Sequence, residues 1–223
     1  ALNVFNAVEK NYDRLKNIEC VVFVSTDKAC EPTNVYGMSK ALAESAIIEK
    51  SLLCSCKFVN IRYGNVLNSR GSIIPILHEK GQDPDVKEFT LTHPDMTRFV
   101  MTLEQSVELI EHGILYAESG DIVIPKLISM NLKDLMDIFS EKYNKPVKIS
   151  GLRPGEKILE SLISETQSMR LVNEESGFMY IKPPYKNNIN YCENYKKYKN
   201  YNSTLNPLNK QELKKYLENL KLI

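Results

Sequence analysis

The sequence predicts an α/β protein built on a parallel sheet, followed by a smaller α+β lobe. Two observations carry this expectation. Continuous apolar runs, CVVFV at 20–24 and FVNIRY at 58–63, have the character of strands buried on both faces. They alternate with helical periods, and helix, strand, loop, helix, strand is the order that places helices over a parallel sheet.

Residues 1–17 are expected to form a helix with Leu2, Val4, Phe5 and Val8 on one face. The strand at 20–24 runs into the polar loop STDKACEPTN. From Tyr36 the pattern turns helical again, with Leu42, Ala46 and Ile47 spaced for burial, and Phe58–Tyr63 forms the next strand. Beyond Gly71, prolines 75, 84 and 94 punctuate the chain until TLEQSVELIEHGILYA resumes a helical period. DIVIP is a short strand, and NLKDLMDIFSEKY is an amphipathic helix with Leu132, Leu135, Met136 and Phe139 at three- and four-residue spacing. VKISGL is a further strand. The stretch 186–206 is rich in Asn, Lys and Tyr and is expected to be a solvated surface segment, before a last amphipathic helix.

Composition excludes several classes. In 223 residues, 29 Lys and Arg against 28 Asp and Glu leave a formal charge of +1, so no global field draws nucleic acid or anionic lipid. No apolar run approaches the roughly 18 residues of a membrane span. The five cysteines are odd in number and contain no CxxC pair, which points to reduced thiols and a cytoplasmic chain. Histidines 78, 93 and 112 lack ligand spacing, so no metal site is expected.

Chemistry concentrates in STDKACEPTNVYGMSK. Thr26, Asp27 and Lys28 follow a predicted strand at its carboxyl end, where open α/β sheets bind ligands. Tyr36 and Lys40 stand four apart on one helix face. An ammonium beside a phenol favours the phenolate, which makes the pair a proton-transfer device. An adjacent acid and base suit an elimination, one protonating a leaving hydroxyl and the other removing a carbon-bound proton. A base must be neutral and an acid protonated, so Asp27 and Lys28 are expected to point apart.

With these motifs, and with RYGNVLNSRGSIIP, MTRFVMTLEQSV, DIVIPKLISM and GLRPGEKILESLI in order, residues 1 to about 185 resemble the extended short-chain dehydrogenase/reductases that act on nucleotide sugars. The closest resemblance is to C5-inverting UDP-N-acetylglucosamine 4,6-dehydratases. It implies a Rossmann-like doubly wound sheet with 1–75 as the second half of the NAD(P)-binding domain. It also implies 76–185 as mainly a UDP-sugar lobe, with a strand that can return to the sheet, and 186–223 as an appended segment and helix.

The resemblance gives Thr26, Tyr36 and Lys40 the role of the family's triad, Lys28 that of base at C5 and Asp27 that of acid at the 6-hydroxyl. Tyr36 and Lys40 also hold the cofactor, NADP with NAD as an option. Asn65, Ile73, Thr92, Arg98, Arg153 and Glu156 hold the UDP-sugar. Related dehydratases include some with Met in place of Tyr36, and Tyr favours the inverting group. The resemblance further implies a homo-oligomer, and places about a hundred family residues upstream of Ala1, because none of the nine glycines forms GxGxxG. Two other readings stay open: an epimerase or reductase using the same Tyr and Lys, and a non-catalytic nucleotide-sugar-binding module.

Overall fold

A computed structural model describes residues 1–173, 177–186 and 199–223. In chain order its elements are α1 (Leu2–Lys10), β1 (Cys20–Thr26), a 3-10 turn (Asp27–Ala29), α2 (Val35–Leu53), β2 (Lys57–Tyr63), β3 (Asn65–Val66), α3 (Ile73–Gln82), β4 (Phe89–Leu91), β5 (Thr97–Met101) and α4 (Leu103–Tyr116). Then follow β6 (Ile122–Pro125), β7 (Ile128–Asn131), α5 (Leu132–Tyr143), β8 (Val147–Ile149), β9 (Ser161–Ile163), α6 (Glu165–Ser168), β10 (Leu171–Asn173), β11 (Phe178–Ile181), β12 (Tyr201–Asn202), β13 (Pro207–Leu208) and α7 (Lys210–Asn219). The fold class is the expected α/β class.

The chain divides into two units, each discontinuous in sequence. The first comprises Ala1–Tyr63, Glu104–Lys126 and Ser161–Tyr201. Its sheet has the order β1-β2-β6-β11-β10, parallel from β1 to β6 and antiparallel beyond. β2 lies inside the sheet between β1 and β6, and all five of its inner residues are buried, which is why FVNIR reads as a continuous run. Phe5 of α1 meets Phe58 of β2 edge-on, with centroids 6.3 Å apart and the rings at 90°. Ile47 and Ala43 of α2 complete that core. At the far end of the sheet Lys57 donates to Ala117 O (3.1 Å) and to Ile114 O, satisfying carbonyls that the end of α4 leaves open.

The second unit comprises Gly64–Leu103, Leu127–Glu160 and Asn202–Ile223. It holds a four-stranded sheet, β13-β7-β5-β3, and the parallel pair β4-β8. α5 supplies Leu135, Met136 and Phe139 to its core, together with Leu213 and Leu217 of α7. Caps set both helices: Asn131 accepts from Lys133 N at 2.7 Å, and Asn209 and Glu212 form a reciprocal capping box. Among the described residues no helix is long and apolar enough to cross a membrane. Cys20, Cys30, Cys54 and Cys56 form no disulfide, and burial, with Cys54 and Cys20 nearby, pushes Cys56 up to about 11.

Four expectations change. The first helix stops at Lys10 rather than 17, because Asn11 ends it, its side chain turning back to donate to Ala7 O, and turns follow. β1 is less covered than a strand buried on both faces, since its first five residues are half-buried or exposed. The sheet is mixed rather than wholly parallel, since the hairpin β10–β11 joins it antiparallel. Within 186–206, residues 187–198 lie outside the described residues, but Tyr201 and Ser203 are buried rather than solvated. Ser203 Oγ bonds Thr97 Oγ1 (2.7 Å) and Glu160 N (3.0 Å), so a short polar segment is paid for by internal hydrogen bonds.

Phe58→Ala, by emptying a fully buried ring site under α1, is expected to cost about 3–5 kcal/mol. Denaturant unfolding followed by circular dichroism measures this as a lower midpoint.

Candidate active site

The site begins where β1 ends. Thr26 leaves the strand in extended conformation and caps the 3-10 turn, its Oγ1 accepting from Lys28 N at 3.4 Å. The same hydroxyl donates to Asp27 Oδ1 (2.9 Å), and Lys28 Nζ donates to that oxygen at 3.0 Å. The Asp27 side chain is 1% exposed and that of Lys28 33%. Asp27 Oδ2 is buried with no hydrogen-bond partner among the described residues, as is Ser25 Oγ beside it. The expectation that Asp27 and Lys28 point apart is therefore corrected. A carboxylate removed from water needs a cation or donors, and the turn puts the Lys28 amine within reach. Sequence reasoning weighed the charge states of a reaction and omitted the desolvation of Asp27.

α2 brings the second pair. Asn34 caps it, accepting from Gly37 N at 2.9 Å. Tyr36 is 53% exposed, whereas Lys40 is half-buried, donates to Val24 O (3.0 Å) and lies 4.9 Å from the Phe23 ring centroid. Its ammonium is 5.9 Å from the centroid of the Tyr36 ring. A strand end, a 3-10 turn and one helix face thus collect Thr26, Asp27, Lys28, Tyr36 and Lys40 in the first unit. Gly37 fixes how closely they approach: a Cβ there would stand 2.3 Å from Lys28 O.

Behind these residues lies an ion pair that sequence reasoning missed. Arg62 of β2 is 1% exposed and binds Glu44 of α2 through both carboxylate oxygens, Nε to Oε1 at 2.8 Å and Nη2 to Oε2 at 2.6 Å. Its Nη1 donates to Leu162 O (2.7 Å) and Gln167 Oε1 (2.9 Å). Burial opposes the guanidinium charge, but Glu44 outweighs it and raises the Arg62 pKa above its ordinary value. A signal was present: Glu44 continues the Tyr36, Lys40 spacing by four residues, and an arginine inside an apolar strand demands a partner.

The remaining candidates all fall in the second unit. Asn65 opens β3 opposite Val100, Ile73 starts α3, and Thr92 donates to Met96 Sδ at 3.0 Å. Arg98 is buried and spends its donors on carbonyls: Thr97 (2.7 Å), Ile158 (3.1 Å) and Lys157 (2.9 Å). It thereby holds the end of the turn formed by Arg153 and Glu156, where Glu156 Oε2 accepts from Arg153 N at 3.1 Å. Arg153 is exposed and Glu156 half-buried. Among the described residues no group of three or more His, Cys, Asp or Glu could hold a metal.

Comparison with known proteins gives this geometry a setting. A family model described as "Polysaccharide biosynthesis protein" matches residues 2–182. An uncharacterized membrane protein of Methanocaldococcus jannaschii is 39% identical over 98% of this chain and 70% of its own length. A UDP-glucose 4-epimerase of Rickettsia canadensis is 40% identical over 86% of this chain, which spans 55% of that protein. The X-ray structure of Pen from Bacillus thuringiensis superposes with a TM-score of 0.81 at 30% identity, over 99% of this chain and 72% of that one. The dTDP-glucose 4,6-dehydratase DesIV of Streptomyces venezuelae, solved with NAD, shares the fold at a TM-score of 0.60 and 15% identity, over 70% of this chain and 53% of its own.

Gly37→Ala is expected to push α2 off the 3-10 turn and to destabilise the protein by about 1–3 kcal/mol. A thermal melt beside wild type measures this, and an unchanged midpoint contradicts the close approach.

Proposed function

This chain belongs to the polysaccharide biosynthesis protein family, and from that premise we propose that it carries the acid–base half of a nucleotide-sugar 4,6-dehydratase. The substrate is UDP-N-acetylglucosamine, the product is the 4-keto-6-deoxy sugar inverted at C5, and the purpose is glycan assembly. The observation that carries this reading is the Asp27–Lys28 contact. Proton transfer across that 3.0 Å hydrogen bond turns carboxylate and ammonium into carboxylic acid and amine. Those are the two forms an elimination uses, and a substrate that excludes water from the pair favours them.

Tyr36, with Lys40 beside it, takes the proton from the sugar 4-hydroxyl. The amine of Lys28 then removes the proton at C5, acidified by the neighbouring ketone, and Asp27 protonates the departing 6-hydroxyl so that it leaves as water. Thr26 keeps Asp27 oriented through its 2.9 Å bond to Oδ1. Protonation of C5 by a solvent-derived proton on the face opposite Lys28, with the proton taken by Lys28 released to water, gives inversion. The exposed phenol of Tyr36 and the Lys40 amine fit a nicotinamide ribose, and a bound NADP or NAD supplies the hydride acceptor and donor for this chemistry. Arg153 and Glu156, on the turn that Arg98 holds, suit a diphosphate and ribose hydroxyls, and Asn65, Ile73 and Thr92 complete the proposed sugar-nucleotide contacts.

A homo-oligomer is part of the reading. Val35, Met38 and Leu42 on α2, and Leu103, Val107 and Ile114 on α4, leave large apolar side chains exposed at helical spacing.

A second reading, a UDP-hexose 4-epimerase, is favoured by the Rickettsia relatives at up to 40% identity. Epimerisation at C4 uses Tyr36 and Lys40 but has no leaving hydroxyl for Asp27 and no C5 proton for Lys28. Mass spectrometry of UDP-N-acetylglucosamine incubated with the whole protein and cofactor separates the two: the dehydratase removes the mass of one water, and the epimerase leaves mass unchanged. Lys28→Ala is expected to lower the rate of water loss by about 100-fold or more, and retention of that rate overturns the base assignment.

A further inference from the structure

We propose that Arg62 is a positioning residue that sets the catalytic helix and the acid–base turn in one register. One planar guanidinium reaches both. Its Nε and Nη2 grip Glu44, two helical turns along α2 from Tyr36 and one from Lys40. Its Nη1 donates to Gln167 Oε1 at 2.9 Å, and the same oxygen accepts from Cys30 Sγ at 3.7 Å. Cys30 closes the 3-10 turn, donating from its amide to Asp27 O at 3.0 Å. Gln167 is itself immobilised by a capping box with Ser164, whose amide donates to the same Oε1 at 3.2 Å. The relay therefore runs from α2 through Arg62 and Gln167 to Cys30, two residues beyond Lys28.

Such a buried pair is a poor source of stability, because desolvation of two charges offsets their attraction. What a bidentate fork does supply is direction: only one placement of α2 satisfies both oxygens of Glu44 while Nη1 meets Leu162 O and Gln167. Asn60 Nδ2 reinforces it, donating to Glu44 O at 3.2 Å. Tyr36 and Lys40 on one element, and Asp27 and Lys28 on another, then share a frame fixed from within the core.

The catalytic consequence rests on the function proposed above, but the positioning itself has a separate readout. Three variants test it. Arg62→Lys keeps the charge and loses the fork, Gln167→Met removes the shared acceptor and leaves the Arg62–Glu44 pair, and Cys30→Ala cuts only the last link. Amide hydrogen exchange is expected to quicken about tenfold in segments 26–30 and 35–40 in Arg62→Lys and in segment 26–30 in Gln167→Met, with β6 at 122–125 unchanged in both. Cys30→Ala affects 26–30 alone. In the whole protein kcat for water loss falls by about 10- to 100-fold while KM for the UDP-sugar stays constant.

Exchange that rises evenly over the first unit, or not at all in those two segments, overturns the proposal. A rise in KM at constant kcat does the same. If Arg62→Lys does not fold, Gln167→Met and Cys30→Ala decide the outcome by exchange. If no form of the protein removes water, the exchange pattern still decides the positioning, and only the functional reading fails.

Discussion

A guanidinium held at 1% exposure must find acceptors inside the protein, and much of the first unit is arranged so that Arg62 does. Glu44 on α2, and Leu162 O on β9 with Gln167 on α6, come from two separate stretches of chain, joined through one residue of β2. Removing Glu44 alone leaves an unpaired buried charge, a far larger penalty than the net worth of the pair. The helix bearing Tyr36 and Lys40 is therefore fixed in rotation from its buried middle, while Val35 and Tyr36 of its first turn are exposed.

Close approach does the rest. Gly37 lets α2 lie against the Lys28 carbonyl, and Thr26 and Lys28 together satisfy one oxygen of a buried Asp27. The arrangement is dense because each group answers a cost created by another. Burying Asp27 calls for Lys28, and bringing Lys28 under the helix calls for a residue without a side chain. In the proposed elimination, the contact that satisfies Asp27 is also the path along which a proton moves.

The second unit uses the same logic with another outcome. Arg98 is an arginine whose guanidinium a sequence reading assigns to a diphosphate, yet its hydrogens meet the carbonyls of Thr97, Lys157 and Ile158. Buried carbonyls at the end of an irregular turn need donors, and a fork supplies several at once. Arg153 on that turn is exposed. The two arginines of these motifs thus differ in setting although their residue type is the same.

The sequence by itself determined the fold class, because apolar strand runs and helical periods are local patterns, and it brought the candidate acid–base residues into view together, because STDKA and YGMSK lie within one short stretch. The strand at 58–63 and the helices from Tyr36 and Asn131 were legible for the same reason. What only the tertiary structure decided was pairing across long sequence separations. The antiparallel β10–β11 hairpin, the burial of Ser203 against Thr97 and the meeting of Arg62 with Glu44 and Gln167 follow from desolvation and packing, which no single segment expresses. The contact between Asp27 and Lys28 is the instructive case. The two neighbours were visible at once, but burial of the carboxylate, a property of everything packed around it, decided that they face each other.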